Sequence, residues 1–77
     1  MSGRPVKHSV TLRGHRTSVS LEDEFWAEFR AIATAKGISI NALVSEIDTE
    51  RGIEMGLASA IRLFVLRSLR DRLPKAD

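Results

Sequence analysis

The spacing of apolar residues changes near Leu21, and this change divides the chain into two parts. Before it, apolar and polar residues alternate, as they do in β-strands that bury one face. Along a predicted strand at 16–21, the outward polar positions are Arg16, Ser18 and Ser20. The inward positions are Thr17, Val19 and Leu21, and their residue types favour a strand.

A second alternating run covers residues 6–12, and Arg13-Gly14 lies between the two runs. This dipeptide is compatible with a tight hairpin turn, and equally with a bend between an arm and a single strand. Residues 1–15 are therefore either a basic N-terminal arm or an arm that ends in a hairpin strand.

Three amphipathic helices follow, predicted at 22–36, 39–51 and 57–73. Acidic residues at 22–24 suit the positive end of the first helix, and Gly37 suits a left-handed helix end. Ser39 is a favourable N-cap for the second helix. The apolar stripe of the third helix is wide, which predicts burial on more than one side.

The composition indicates one small intracellular domain spanning residues 1–77. The chain has no cysteine and a net charge of +2. Without disulfides or thiolate metal ligands, so small a core gains stability from association with a second chain. No apolar run approaches the roughly 20 residues that cross a bilayer, so we expect a cytoplasmic protein without membrane contact.

Charge is distributed unevenly along the chain. The charged residues within 1–21 are all basic, namely Arg4, Lys7, Arg13 and Arg16. An acid-free basic segment on a mixed-charge body indicates a surface that faces a polyanion, although a solvated tail accounts for it equally well.

The predicted strand needs hydrogen-bond partners for its backbone. The simplest source is the same strand of a second copy, which makes a homodimer with a two-stranded antiparallel ribbon. The major groove of B-DNA is about 12 Å wide and accepts such a ribbon. Arg16, Ser18 and Ser20 would then face base edges, where arginine can donate a bidentate pair to guanine.

The order of these features resembles the ribbon-helix-helix family of DNA-binding proteins of the Arc and MetJ type. The shared features are the alternating strand, a helix that ends at Gly37, and a helix opened by Ser39-Ile40-Asn41. The stretch 14–22, the pair Phe25-Trp26 and the stretch 59–62 are also similar to a branch of short bacterial proteins predicted to bind DNA.

The resemblance implies an α+β, mostly helical fold, in which two chains form a homodimer through an intermolecular antiparallel β-ribbon. It implies double-stranded DNA as the partner and a transcriptional repressor that occupies an operator, located with the nucleoid. The base-contacting positions of the family fall on Arg16, Ser18 and Ser20. Its phosphate-contacting positions fall on Ser39, Ile40 and Asn41, where free N–H groups at a helix start favour an anion.

The basic segment extends the predicted phosphate contacts to Arg4, Lys7 and Arg13. A hairpin at 6–12 would complicate this, because the dimer sheet would have four strands with outer axes about 14 Å apart, too wide for deep entry into the groove. Lys7 and Arg13 would then contact phosphates, or DNA binding would be lost. The third helix also departs from the family pattern, and we expect it to close the dimer core.

Other chemistry has little support in the sequence. His8 and His15 have no carboxylate or thiolate nearby, and no serine has a base and an orienting acid, so we expect no metal, no cofactor and no enzymatic activity. Trp26 lies at helical spacing, which favours a core position over base stacking. The competing hypothesis is a dimeric, antitoxin-like interaction module that binds a protein partner through its C-terminal helix.

Overall fold

A computed structural model describes residues 3–52 and 54–74; the first two residues of the predicted arm lie outside these ranges. The elements are β1 (Val6–Leu12), β2 (His15–Leu21), α1 (Asp23–Lys36), α2 (Ile40–Glu50) and α3 (Leu57–Arg72). Strand and helix ends differ from the predicted ones by one residue at most. The helix predictions are too long where they include the extended cap residues Glu22, Ser39, Arg51 and Leu73.

The two strands form an antiparallel hairpin, with a register that runs from Val6↔Leu21 to Leu12↔His15. Its two-residue turn places Arg13 at φ 53° and Gly14 at φ 78°. Positive φ at both central residues is what a type I′ turn requires. Residues 6–12 are therefore a hairpin strand, and they occupy one of the two edges of β2.

Both helix ends marked in the sequence have the expected geometry. Gly37 adopts φ 72°, and its N–H donates to the carbonyls of Ala33 and Thr34. The Ser39 hydroxyl accepts a hydrogen bond from the Ala42 N–H at 3.0 Å. These caps set the short connection that turns α2 back across the hairpin.

The three helices pack on one face of the hairpin and close a core within a single chain. The largest fully buried side chains are Phe29, Leu21, Leu43, Ile61, Val44 and Val65. Both strands and all three helices contribute to this core. The third helix therefore completes the core of its own chain, whatever it contributes to a dimer.

The inward face of β2 is covered unevenly. Val19 and Leu21 are buried, as the alternation predicts, whereas Thr17 on the same face is exposed. α3 reaches β2 near its C-terminal end, where Arg62 donates to the Ser20 carbonyl. The helix layer thus leaves the part of β2 nearest the turn open on its inward side.

We expect Leu43→Ala to lower the free energy of unfolding by about 2–5 kcal/mol, because Leu43 is fully buried and its truncation leaves a cavity. Urea denaturation followed by circular dichroism measures this change. Val6→Ala is the matched control, since Val6 is 44% exposed and should cost less than about 1 kcal/mol. Equal losses in the two variants would contradict this account of the core.

Candidate nucleic-acid interface

The face of the hairpin turned away from the helices is polar and lacks acidic residues. The register places six outward side chains in three cross-strand pairs, Lys7 with Ser20, Ser9 with Ser18, and Thr11 with Arg16. We call these six residues the outer face. It carries two cations and four hydroxyl groups, which donate to phosphate oxygens and to base edges.

The three predicted base-contacting residues lie together on the outer face, along β2. Arg16 and Ser18 are exposed, and Ser20 is half-buried. They alternate with Val19 and Leu21, which anchor the strand in the core. The burial of the apolar residues therefore holds these polar side chains on the opposite face.

One edge of the hairpin is partly closed by α2. The Asn41 side chain, in the first turn of α2, accepts a hydrogen bond from the Thr11 N–H at 2.9 Å. Since backbone N–H groups alternate in direction along a strand, the Thr11 N–H points away from β2, toward the outer edge of β1. Asn41 thus occupies a position that a further strand would need.

The other edge of the hairpin, along β2, likewise meets one helix side chain and is otherwise open. Arg16 lies opposite Thr11, so the backbone groups of Arg16, and of Ser18 and Ser20 along the same edge, point away from β1. Arg62 of α3 donates to the Ser20 carbonyl at 3.4 Å. Among residues 3–52 and 54–74, no hydrogen bond engages the Arg16 or Ser18 backbone at this edge.

Arg62 joins this edge to the start of α1. Its guanidinium donates from Nε to Glu22 Oε1 at 2.9 Å and from Nη2 to Glu22 Oε2 at 3.2 Å. It also lies 5.9 Å from the centroid of the Phe25 ring. The Glu22 backbone N–H and, after it, the Arg62 guanidinium hold the pKa of the Glu22 carboxyl below its ordinary value of 4.5, because both favour the carboxylate.

The three cations of the basic segment that are predicted to contact phosphates have different surroundings. Arg4 is exposed just before β1, and Lys7 is exposed on the outer face. Arg13, in the turn, lies 3.4 Å from Asp48 of α2, although its side chain is 69% exposed. Arg13 therefore reaches toward the helix layer, while Lys7 projects away from it.

The start of α2 uses two of its side chains internally. The Ser39 hydroxyl caps the Ala42 N–H, and Asn41 holds Thr11. Within the described part of the chain, no hydrogen bond engages the backbone N–H groups of Ile40 and Asn41. An anion bound at this helix start would therefore accept hydrogen bonds from these two N–H groups.

Asp48 is a charged residue that sequence reasoning missed. Its side chain is only 9% exposed and lies between Arg13 and Arg51, at 3.4 and 2.7 Å. Arg51 also donates to the Met55 carbonyl at 2.5 Å. The turn of the hairpin is thereby tied to the end of α2, which no short-range sequence pattern reveals.

His8 and Trp26 form a stacked pair beneath the sheet. Their ring centroids are 4.0 Å apart and their planes are 7° from parallel. Trp26 also packs against the core, as its helical spacing predicts. No group of three or more His, Cys, Asp or Glu residues suited to a metal ion occurs in the ranges that the structure describes.

The family model of the ribbon-helix-helix domain matches residues 5–69, which is most of the chain. The chain therefore belongs to the ribbon-helix-helix domain family, and the order of strands and helices agrees with that fold. Neither the comparison with curated proteins nor the comparison with solved structures found a match. Among the described residues, no helix has both the length and the apolar character needed to span a membrane.

Acidification should destabilise the fold through Glu22. Its pKa is lowered in the folded chain, so its contribution is present above the ordinary pKa of 4.5 and is lost as the pH falls through the lower folded value. Denaturant unfolding at several pH values across this range measures the slope of the free energy of unfolding against pH. Glu22→Gln should flatten it, whereas the control Glu54→Gln, at an exposed position outside the helices, should have a smaller effect.

Proposed function

We propose that this protein is a homodimeric, sequence-specific DNA-binding protein that regulates transcription by occupying an operator. The observation that carries the proposal is the acid-free outer face beside an open strand edge. Ribbon-helix-helix domains are in general DNA-binding modules, which agrees with this chemistry. Such a protein acts in the cytoplasm at the nucleoid, binds without a cofactor and catalyses no reaction.

The proposed dimer forms when β2 of two chains pair antiparallel through their open edges. The resulting sheet has four strands, with the two β2 strands at its centre and the two β1 strands outside. Arg16, Ser18 and Ser20 of both chains then form one continuous central surface. Because the pairing is isologous, it closes as a dimer and leaves β1 at the margins.

A four-stranded sheet meets the groove differently from a bare two-stranded ribbon. Its outer strand axes are about 14 Å apart, compared with a major groove about 12 Å wide, so the sheet lies across the mouth of the groove. The central Arg16 side chains are long enough to extend toward base edges. Ser18 and Ser20 are the neighbouring base-facing positions, with a shorter reach.

In the proposed complex, DNA phosphates lie along both margins of the four-stranded sheet. Asn41 attaches the start of α2 to the outer edge of β1, which is the margin of the four-stranded sheet. The N–H groups of Ile40 and Asn41, together with the Ser39 cap, therefore border the path of the DNA backbone. Lys7 and Arg4 lie on or beside β1, and Arg13 joins them once a phosphate replaces Asp48 as its partner.

A second candidate function is the binding of a protein partner, as in antitoxin-like modules. It is favoured by exposed leucines on and just after α3, since Leu66, Leu69 and the cap residue Leu73 are 48%, 39% and 65% exposed. Retention on a DNA or heparin column that is lost at moderate salt supports the first function. Stoichiometric co-purification with one unrelated polypeptide, without DNA retention, supports the second.

We expect Arg16→Ala to remove about 1–3 kcal/mol of discrimination at one base pair of each half-site, because one bidentate contact is lost. Selection of bound sequences from random DNA supplies the site, and fluorescence anisotropy then compares matched with scrambled duplexes. Arg30→Ala is the charge-matched control, since Arg30 is exposed on α1, in the helix layer. Unchanged discrimination in Arg16→Ala would argue against base readout by this face.

Lys7→Ala should weaken binding to matched and scrambled duplexes by the same factor. Loss of one phosphate contact per chain lowers the slope of log K against log salt by about 1 for each contact removed. Titrations over a range of salt concentrations measure that slope. Arg30→Ala should leave it unchanged, and a wild-type affinity that does not depend on salt would contradict phosphate binding altogether.

A further inference from the structure

A cavity of about 300 Å³ lies in the helix layer, and its walls come from α2, from the connection that follows α2 and from α3. Its apolar lining consists of Ile47, Met55, Ala60, Leu63 and Phe64. Ile47 and Ala60 are buried, whereas the other three are half-buried, so apolar surface remains accessible at the cavity. Small-molecule sites occupy cavities of about 300–1,000 Å³, and this cavity therefore suits a small ligand.

Arg51 forms part of the cavity wall, and its charge is already used within the chain. Its Nε donates to Asp48 Oδ1 at 2.7 Å, and its Nη1 donates to the Met55 carbonyl. The Asp48 carboxylate offsets the guanidinium charge, while the contact with Met55 attaches the connection to the end of α2. Arg51 therefore shapes the cavity and leaves the recognition of a charged ligand to other residues.

Two further charged residues line the same cavity, Glu50 from the last position of α2 and Arg67 from α3. Both are exposed. Neither forms an ion pair with another residue in the ranges that the structure describes, and they do not pair with each other. The cavity thus presents one available cation and one available anion beside its apolar lining.

This cavity lies on a different side of α3 from the one that reaches the hairpin. Arg62, which donates to the Ser20 carbonyl at the β2 edge, precedes Arg67 by five positions. Five positions correspond to a rotation of about 140° around a helix. The site is therefore separate from the β2 edge and from the outer face, and it requires neither the proposed dimer nor DNA binding.

We propose that this cavity binds an apolar α-amino acid. Arg67 donates to the ligand carboxylate, for which a guanidinium is well suited, and Glu50 accepts from the ligand ammonium group. The apolar side chain of the ligand packs on Leu63 and Phe64, where burial of its surface contributes to affinity.

The two free charges select a zwitterion over ligands that carry a single charge. A carboxylate without an ammonium group pairs with Arg67 and leaves Glu50 without a partner beside a second anion. An amine without a carboxylate leaves Arg67 in the equivalent position. A site whose polar groups lose their partners rejects such analogues, so only the zwitterion satisfies both residues.

An NMR titration followed through backbone amide signals tests the ligand class on the full chain. The probes are L-leucine, isocaproate, which lacks the ammonium group, isoamylamine, which lacks the carboxylate, and glycine, which lacks the side chain. We expect L-leucine to shift the signals of Met55 and Phe64. Each analogue should bind about tenfold more weakly or less, since each loses one of the three contacts.

Two variants assign the polar contacts. Arg67→Gln should weaken L-leucine binding about tenfold and remove the preference over isoamylamine, whereas Glu50→Gln should remove the preference over isocaproate. Arg70→Gln is the charge-matched control, at an exposed position of α3 outside the lining. Asp71→Asn is the second control, because Asp71 and Arg67 both line a neighbouring groove between α1 and α3, but Asp71 does not line this cavity. Both controls should bind L-leucine as the natural chain does.

Three results would overturn the proposal. The first is the absence of any L-leucine-dependent shift at Met55 and Phe64. The second is equal affinity for L-leucine and isocaproate, which would show that Glu50 recognises no ammonium group. The third is an equal loss of binding in Asp71→Asn and Arg67→Gln, which would assign the ligand to the neighbouring groove. Circular dichroism of each variant verifies that a loss of binding does not come from unfolding.

Discussion

The hydrogen-bonding requirement of strand edges governs this molecule. A hairpin has two edges, and each exposes backbone groups that need partners or protection. Here one helix side chain reaches each edge. The Asn41 side chain accepts a hydrogen bond from the Thr11 N–H at the β1 edge, and Arg62 donates to the Ser20 carbonyl at the β2 edge. The Arg16 and Ser18 backbone groups at the β2 edge have no partner among the described residues.

The helices act on the sheet through a few polar contacts as well as through the core. Asn41 links α2 to β1, and Arg62 links α3 and the start of α1 to the end of β2. Asp48 and Arg13 tie the turn to α2. These contacts connect segments far apart in the chain, so they fix the hairpin on the helix layer while the outer face stays clear of it.

Much of the fold follows from local patterns. Alternation around Val19 and helical spacing around Phe29 and Leu43 identify strands and helices because burial imposes those two periods. Gly37 and Ser39 mark helix ends through their own backbone and side-chain chemistry. The outward set Arg16, Ser18 and Ser20 follows from the same alternation, and the structure brings these residues together, although their contacts with DNA remain a prediction.

The sequence by itself determined the elements, the polar outward set and the resemblance to ribbon-helix-helix proteins, since each depends on residues within a few positions of one another. It left open whether residues 6–12 form an arm or a strand, because Arg13-Gly14 suits both. Only the tertiary structure decided that they pair with β2 and that Asn41, thirty residues from Thr11, binds the Thr11 N–H at one edge. Such contacts depend on how distant segments pack, and that information is not present in any local pattern.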